Sequence, residues 1–357
     1  MMIELDGNYV EGGGSIARVA LALSTLTGKP FKITNIRAGR KQPGLKAQHL
    51  TAVKALKEIC QAQASDVYLG SKEFMFIPKK IKKGTYEIDI GTAGSITLLL
   101  QALLPPCLFA PGKITLKIKG GTSGKWSASV DYLQNILLPH LNKFVDKINF
   151  KILKRGYYPK GGGEVELTIH PKHLQDFYQN LNTIPKINLT EPGKLVQIKG
   201  IINCSKFLEK GKVAERIKQS AEITLRKLDC PTDIAVEYSD TLSPGGEIVL
   251  WARFSQGEEI NFNNPVILGA DARAEKGKKA EIVGQEAAQE LIQEIKSGAS
   301  VDKYLGDQLL MYMALLPGSK INVSEITDHC KTNMYVIEKF LDVGFVVKGK
   351  EVEVIKK

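Results

Sequence analysis

The chain has 357 residues, 43% of them hydrophobic and 24% charged, with 49 Lys+Arg against 38 Asp+Glu for a formal net charge of +11. This length suits about two domains with a sizeable core. The basic excess favours polyanionic partners such as nucleic acid or nucleotides, although a solvated Lys-rich surface carries the same balance. Five cysteines, an odd number without a C-x-x-C pair, argue against a disulfide framework or a cysteine-rich metal site and fit buried thiols in a reducing compartment. The first residues lack the basic n-region of a signal peptide. The longest apolar stretch, residues 96–110, is broken by Gln101 and Pro105-Pro106 and is too short to span a membrane. A cytoplasmic protein with no membrane contact is expected.

The order of elements repeats along the chain. Residues 2–5 read as a strand, followed by Glu11-Gly12-Gly13-Gly14. Ser15 is placed to cap a helix with apolar residues at Ile16, Val19, Ala20, Leu23 and Leu26, and Gly28 ends it. A strand over 31–36, a helix over 45–60 and strands near 67–69 and 74–78 complete the first unit. The second repeats this order: a strand over 86–90, the loop Gly91-Thr92-Ala93-Gly94-Ser95, a helix to about 104, a strand over 114–118, a helix over 130–144, and strands over 148–153 and 164–169. The third shows a helix over 301–316, a strand over 320–326, a helix over 333–341 and strands over 345–348 and 351–355. Between the second and third units, residues 185–280 break the period with strands over 195–202, 234–238 and 247–254 and a helix over 213–228. The expected fold is α/β. Three strand-helix-strand-helix-strand-strand units form a large domain (1–185 plus 280–357), into which a smaller α/β domain (186–279) is inserted.

Several glycine-rich loops precede helices, where exposed N–H groups suit phosphate, but none matches a Walker A or dinucleotide fingerprint, and each alone also reads as a tight turn. Arg37-Ala38-Gly39-Arg40-Lys41 stands beside the Pro43-Gly44 turn, so two arginines can converge on phosphate. Arg18 lies off the apolar stripe of the first helix and by itself reads equally as a solvated side chain. With Glu11, Arg37 and Arg40 it would meet at one end of the first unit. Among five histidines, His49 falls on an apolar helix face and reads as a packed residue. His140 ends a helix, where its ring can meet the C-terminal dipole, and His170 and His173 are expected exposed. His329 sits between a strand and a helix start, in Thr327-Asp328-His329-Cys330-Lys331-Thr332-Asn333. The positive helix end disfavours an imidazolium, and a neutral ring has a free nitrogen for attack on phosphorus. Its position alone does not decide between that role and a structural one. Tyr304, Asp307 and Gln308, at i, i+3 and i+4, share one helix face, either an exposed polar stripe or the wall of a site where Asp307 could orient a histidine.

The run Arg155-Gly156-Tyr157-Tyr158-Pro159-Lys160-Gly161-Gly162-Gly163-Glu164-Val165 resembles the signature of the RNA 3′-terminal phosphate cyclase family. Glu11–Gly14, Ile36–Arg40, Pro43-Gly44-Leu45 with Gln48–Ala52, Gly91–Ser95, Gly120-Gly121-Thr122, Tyr304-Leu305 with Asp307-Gln308-Leu309, and His329 with Thr332-Asn333 are similar to the same family in the same order. The likeness is weakest in the inserted segment. It implies ATP-dependent conversion of an RNA 3′-phosphate to a 2′,3′-cyclic phosphate through a histidine–AMP intermediate. By this resemblance His329 is the nucleophile and Glu11 a carboxylate ligand of a divalent metal, Mg or Mn. Arg18, Arg37, Arg40 and Gln48 line the phosphate pocket, and Gln101, Tyr304, Asp307 and Gln308 lie near the nucleotide and the histidine. The implied partners are ATP and RNA with a 3′-phosphate end, and a homodimer is left open. After Gly-Gly-Thr the chain reads Ser123-Gly124-Lys125-Trp126-Ser127-Ala128, where family members can carry proline-rich sequence that touches adenine. Two rival readings are a non-catalytic cyclase-like RNA-binding protein of ribosome assembly, which would lack the histidine, and an enolpyruvyl transferase, which would lack the signature run.

Overall fold

The computed structural model describes residues 1–10, 12–125, 127–172, 181, 183–257 and 259–357. The described strands form four mixed sheets of four strands each. The first holds β1 (Ile3–Asp6), β2 (Phe31–Thr34), β3 (Gln63–Ala64) and β4 (Phe74–Ile77) in the spatial order β1-β2-β4-β3. The second holds β5 (Gly84–Asp89), β6 (Ile114–Gly120), β7 (Val145–Lys154) and β8 (Gly163–Pro171) in the order β5-β6-β8-β7. The chain then lays down β9 (Asn188–Leu189) and leaves for the fourth sheet, built from β10 (Lys194–Ser205), β11 (Thr232–Ser239), β12 (Gly246–Ser255) and β13 (Val266–Arg273). It returns with β14 (Lys320–Asn322), β15 (Val343–Lys348) and β16 (Glu351–Lys356), which join β9 in the order β15-β16-β14-β9. In the first three sheets the opening pair is parallel and the other pairs antiparallel. A parallel pair needs a long crossover, and each of these three crossovers contains a helix.

The helices of the first unit are α1 (Ser15–Thr27) and α2 (Ala47–Ile59). Gly28 ends α1 at φ 73°, donating its N–H to the Ser24 carbonyl. The expected Ser15 cap is corrected: Gly14 holds the cap position, and the Ser15 hydroxyl is buried without a hydrogen-bond partner. Helix α1 is enclosed by α2, α3 (Ile96–Leu108) and α9 (Asp328–Phe340), so its polar positions are buried too. Helix α3 is capped by the Ser95 hydroxyl, which accepts from Leu98 N–H, and it runs through Pro105-Pro106 to Leu108 rather than stopping near 104. Each proline removes one N–H donor from the ladder, and the helix continues only two residues beyond them. The expected helix over 130–144 is one helical path in four pieces, among them α4 (Val130–Tyr132), a π-turn over Leu133–Leu137 and α5 (Leu138–Leu141).

In the fourth sheet, α6 (Val213–Leu225) and α7 (Ala280–Lys296) pack together on one face. Residues 280–296, placed with the large unit from sequence, thus rest on the sheet of the inserted segment. The opposite face meets the helical path at Gly269, where an added Cβ would lie 2.6 Å from the Tyr132 ring and 2.7 Å from Ile136. The signature run supplies the clamp. Arg155 forks onto Asp131 and reaches Glu247 on β12 at 3.3 Å, with all three side chains buried. Tyr157 donates its hydroxyl to Asn203 Oδ1 at 2.9 Å, and Lys160 N–H donates to Ser243 Oγ at 3.1 Å. Asp302 adds a second tie by accepting from Tyr132 Oη at 2.6 Å, from Gly269 N–H at 2.8 Å and from Tyr304 and Leu305 N–H at 2.9 Å, which also caps α8 (Lys303–Ala314).

Four of the five cysteines are buried thiols and Cys230 is half-buried, with no disulfide among them. His140 stands in the last turn of α5, as expected, and is buried with its Nε2 unpartnered. His170, expected exposed, is half-buried on β8, and His173 lies outside the described residues. Among the described residues no helix is long and apolar enough to cross a membrane.

Two outcomes follow. Asp131→Ala removes the forked partner of the buried Arg155 and should destabilise the protein by about 3–5 kcal/mol in chemical denaturation, whereas breaking an exposed pair such as Lys206–Asp240 should leave the midpoint nearly unchanged. Burial holds the His140 imidazole down to about 3, so the native state refuses a proton that the unfolded chain accepts below about 6.5. Stability should therefore fall as pH drops from 6.5 towards 3, by about 1.4 kcal/mol per unit for this residue. His140→Gln should flatten that limb in urea titrations at stepped pH.

Candidate active site

A cavity of about 1230 Å³ opens where the first turns of α1, α2, α3 and α9 converge with α8 and the end of β13. Helix N-termini present N–H groups and positive dipole ends, which favours an anion at their meeting point. Of the residues singled out from sequence, Arg18, Arg37, Arg40, Gln48, Gln101, Tyr304, Asp307, Gln308 and His329 all line this cavity. Glu11 lies outside the described residues, two positions before the lining residue Gly13.

Arg18 is 5% exposed, so it is not a solvated surface residue. Its Nε donates to Gln101 Oε1 at 2.9 Å, and its Nη1 lies 3.2 Å from His49 Nε2. His49 is buried as expected but forms part of the cavity wall. Its Nδ1 accepts from Lys46 N–H at 3.1 Å and so satisfies the first turn of α2. Burial, with the charges of Arg18, Arg37 and Lys46, holds the His49 imidazole well below its ordinary range, and the ring is neutral. Gly14 makes room for this pair: a Cβ there would lie 2.2 Å from His49 Nε2 and 2.9 Å from Arg18 Nη1. Arg37 takes a left-handed conformation at φ 54°, and its Nη1 donates to the carbonyls of Gln42 at 2.7 Å and Gly44 at 3.1 Å. That closes the 37–44 loop over the cavity edge, with Arg40 N–H donating to the Arg37 carbonyl.

The opposite wall is acidic and amide-bearing. Helix α9 begins at Asp328, five residues earlier than the expected helix over 333–341, so His329 stands inside its first turn. The Thr327 hydroxyl caps that turn by accepting from Cys330 N–H. His329 and Asn333 are one turn apart and both line the cavity. Asn333 Nδ2 donates to the Asp307 carbonyl at 3.0 Å, locking α9 to α8, while its Oδ1 is buried without a hydrogen-bond partner. The buried face of α8 carries Leu305, Leu309 and Met313, and Tyr304, Asp307 and Gln308 share the other face. Tyr304 Oη donates to Glu290 at 3.0 Å.

Among the described residues, seven Lys or Arg and two Asp line the cavity, an excess of positive charge. Burial and the neighbouring Arg37 charge lower the Lys46 ammonium below its ordinary value. Among the described residues no three His, Cys, Asp or Glu side chains converge to hold a metal unaided. A Mg²⁺-type ion is commonly held by one or two carboxylates together with substrate phosphates, so Asp271 or Asp307 could take such a share.

Sequence reasoning passed over Asp271, Arg273 and Lys125, which also line the cavity. Arg273 Nη2 donates to the Lys125 carbonyl at 2.8 Å, fastening the 123–128 loop to the inserted sheet. Burial pushes the Asp271 carboxyl up to about 6 against the pull of Arg273. Both residues sit on β13, a strand the sequence reading left unassigned. Its small-polar alternation Gly269-Ala270-Asp271-Ala272-Arg273 was the available signal.

Gly14→Ala should weaken inorganic triphosphate binding at least tenfold in calorimetry by displacing His49 and Arg18. Gly28→Ala, with open space around its Cβ but φ 73°, should cost about 1–2 kcal/mol of stability and leave that binding unchanged.

A family model described as RNA 3′-terminal phosphate cyclase matches residues 9–347. Curated proteins named RNA 3′-terminal phosphate cyclase are similar over nearly the whole chain. That of Pyrococcus abyssi is 43% identical over 350 residues, covering 98% of this chain and 96% of its own. That of Pyrococcus furiosus is 44% identical over 361 residues, covering 100% and 99%, and that of Methanopyrus kandleri 42% over 359, covering 99% and 97%. With the signature run in its clamp and the motif residues around one cationic cavity, this chain belongs to the RNA 3′-terminal phosphate cyclase family.

Proposed function

We propose that this protein uses ATP to convert an RNA 3′-terminal phosphate into a 2′,3′-cyclic phosphodiester. The reading rests on one observation: His329, the cavity's half-buried second histidine, shares it with Arg18, Arg37, Arg40 and four helix N-terminal turns.

Closing a five-membered phosphate ring is uphill, so the terminal phosphate must first gain a good leaving group. A ring nitrogen of His329 attacks the α-phosphorus of ATP, forming the N–P bond as the bond to pyrophosphate breaks. Arg18, Arg37 and Arg40 offset the charge on the triphosphate, and a divalent ion bound with it would add to that neutralisation. An oxygen of the RNA 3′-phosphate then displaces the histidine at the same phosphorus, leaving RNA joined to AMP through a pyrophosphate. The neighbouring 2′-hydroxyl attacks the RNA phosphorus, loses its proton and expels AMP. This last step is intramolecular, so holding the terminal ribose in place lowers its barrier most. Asn333, one turn from His329 and anchored to α8, keeps the nucleophile's helix against the wall that carries Asp307 and Gln308.

The division into residues 1–185 with 280–357 and an insert over 186–279 belongs to this proposal: the insert lends Asp271 and Arg273 to the cavity. Incubation with ATP labelled at the α-phosphate, and a divalent metal, should attach AMP to the protein through an acid-labile bond. His329→Ala should abolish labelling with an unchanged unfolding midpoint, and an equally labelled variant would refute the assignment.

A further inference from the structure

We propose that a second pocket, on the inserted sheet, holds the single-stranded body of the RNA upstream of its 3′ end. The inference rests on the reading that the substrate is RNA, and it adds the place where the chain leaves the active site.

This pocket has a volume of about 550 Å³. Lys199, Trp251 and Arg253 line it from the sheet face opposite α6 and α7. Lys199 and Trp251 are cross-strand partners on β10 and β12, and Arg253 is two residues further along the same face of β12. Lys143 and Lys172 complete a ring of four cations. Lys143 Nζ is tied to Asn264 Oδ1 at 2.8 Å, and Lys172 Nζ to the Lys143 carbonyl at 2.6 Å. No carboxylate stands among the described residues that line the pocket. At its rim Phe262 is 79% exposed, an apolar ring displayed to water beside positive charge. Cations that follow a backbone, with aromatic faces on which bases stack, are the chemistry of single-stranded nucleic acid binding. A lone cationic patch would suit any polyanion, and the two aromatic rings favour a base-bearing one.

The position fits the same occupant. The helical path over 130–144 crosses the sheet at Gly269 with a pocket on either flank: Leu133 and Leu137 face the active site, Gln134 and Asn135 the second pocket. Along β13, Ile267 lines the second pocket and Asp271 the first, four residues or about 13 Å apart. Stacked nucleotides rise roughly 3.4 Å each, so about four of them span that distance. A dinucleotide seated in the active site ends short of the second pocket, and a decamer reaches it.

The test uses the full chain with a 5′-fluorescein decaribonucleotide in anisotropy titrations across a KCl series, and kcat/KM for 3′-phosphorylated decamer and dinucleotide. Phe262→Ala should weaken decamer binding by about 5- to 150-fold, the effect of one stacked base. Lys199→Glu with Arg253→Glu should reduce the slope of log affinity against log salt by about 1.4, for two lost phosphate contacts at roughly 0.7 each. Lys199→Arg should preserve binding, which separates charge from packing. Cyclisation of the dinucleotide and AMP labelling without RNA should stay at the wild-type level in all variants. Decamer binding unchanged by these substitutions, or equal losses on dinucleotide and decamer, would overturn the proposal. A wild-type protein that binds the decamer through these residues yet labels with no AMP and cyclises nothing would uphold this pocket and refute the cyclase reading.

Discussion

Arg155 carries a permanent positive charge into the interior, and the packing of the inserted sheet against the body is organised around that charge. Asp131, on the helical path of the same unit, holds the guanidinium from one side, and Glu247 on β12 of the insert meets it only while the insert is docked. A buried ion cluster of this kind is a weak source of net stability but a strong penalty on any arrangement that separates its members. Burial pushes the Glu247 carboxyl upward against the pull of Arg155. Asp302 repeats the principle by collecting donors from the helical path, from β13 and from the start of α8. Because β13 is held in this way, Asp271 and Arg273 line the same cavity as His329 on α9.

The cavity has the opposite character, with like charges gathered and held apart by the fold. Arg18 is fixed by Gln101 and rests against a neutral His49, Arg37 is folded onto its own loop, and Lys46 is lowered by its neighbourhood. Fixed cations of this kind favour a polyanion, so binding energy and electrostatic preorganisation come from the same residues. The neutrality of His49 is useful here, since a further cation behind Arg18 would repel it from the position it holds.

Much of this was legible along the chain because periodicity and caps are local. Gly28 ends α1, and the i, i+3, i+4 face of α8 formed by Tyr304, Asp307 and Gln308 lines the cavity, one of its two readings. Errors came where a long-range partner overrode local preference. Ser15 yields the cap to Gly14, α3 continues through two prolines, and Arg18, polar and off the stripe, is buried because α1 is enclosed on every side. His49 read as a packing residue and packs as such, but the surface it packs against is the cavity wall.

Short motifs and their spacing carried the family and nine of the residues that line the cavity, since that information needs no reference to distant partners. Only the tertiary structure decided what the signature run does. Its arginine and tyrosine bind across to the inserted sheet, a relation between residues 92 and 46 positions apart that no local pattern encodes. The same holds for the contribution of β13 to the cavity and for the basic, aromatic pocket beyond it. Both arise from two sheets and a helical path meeting at a glycine, and proximity of that kind is created by folding.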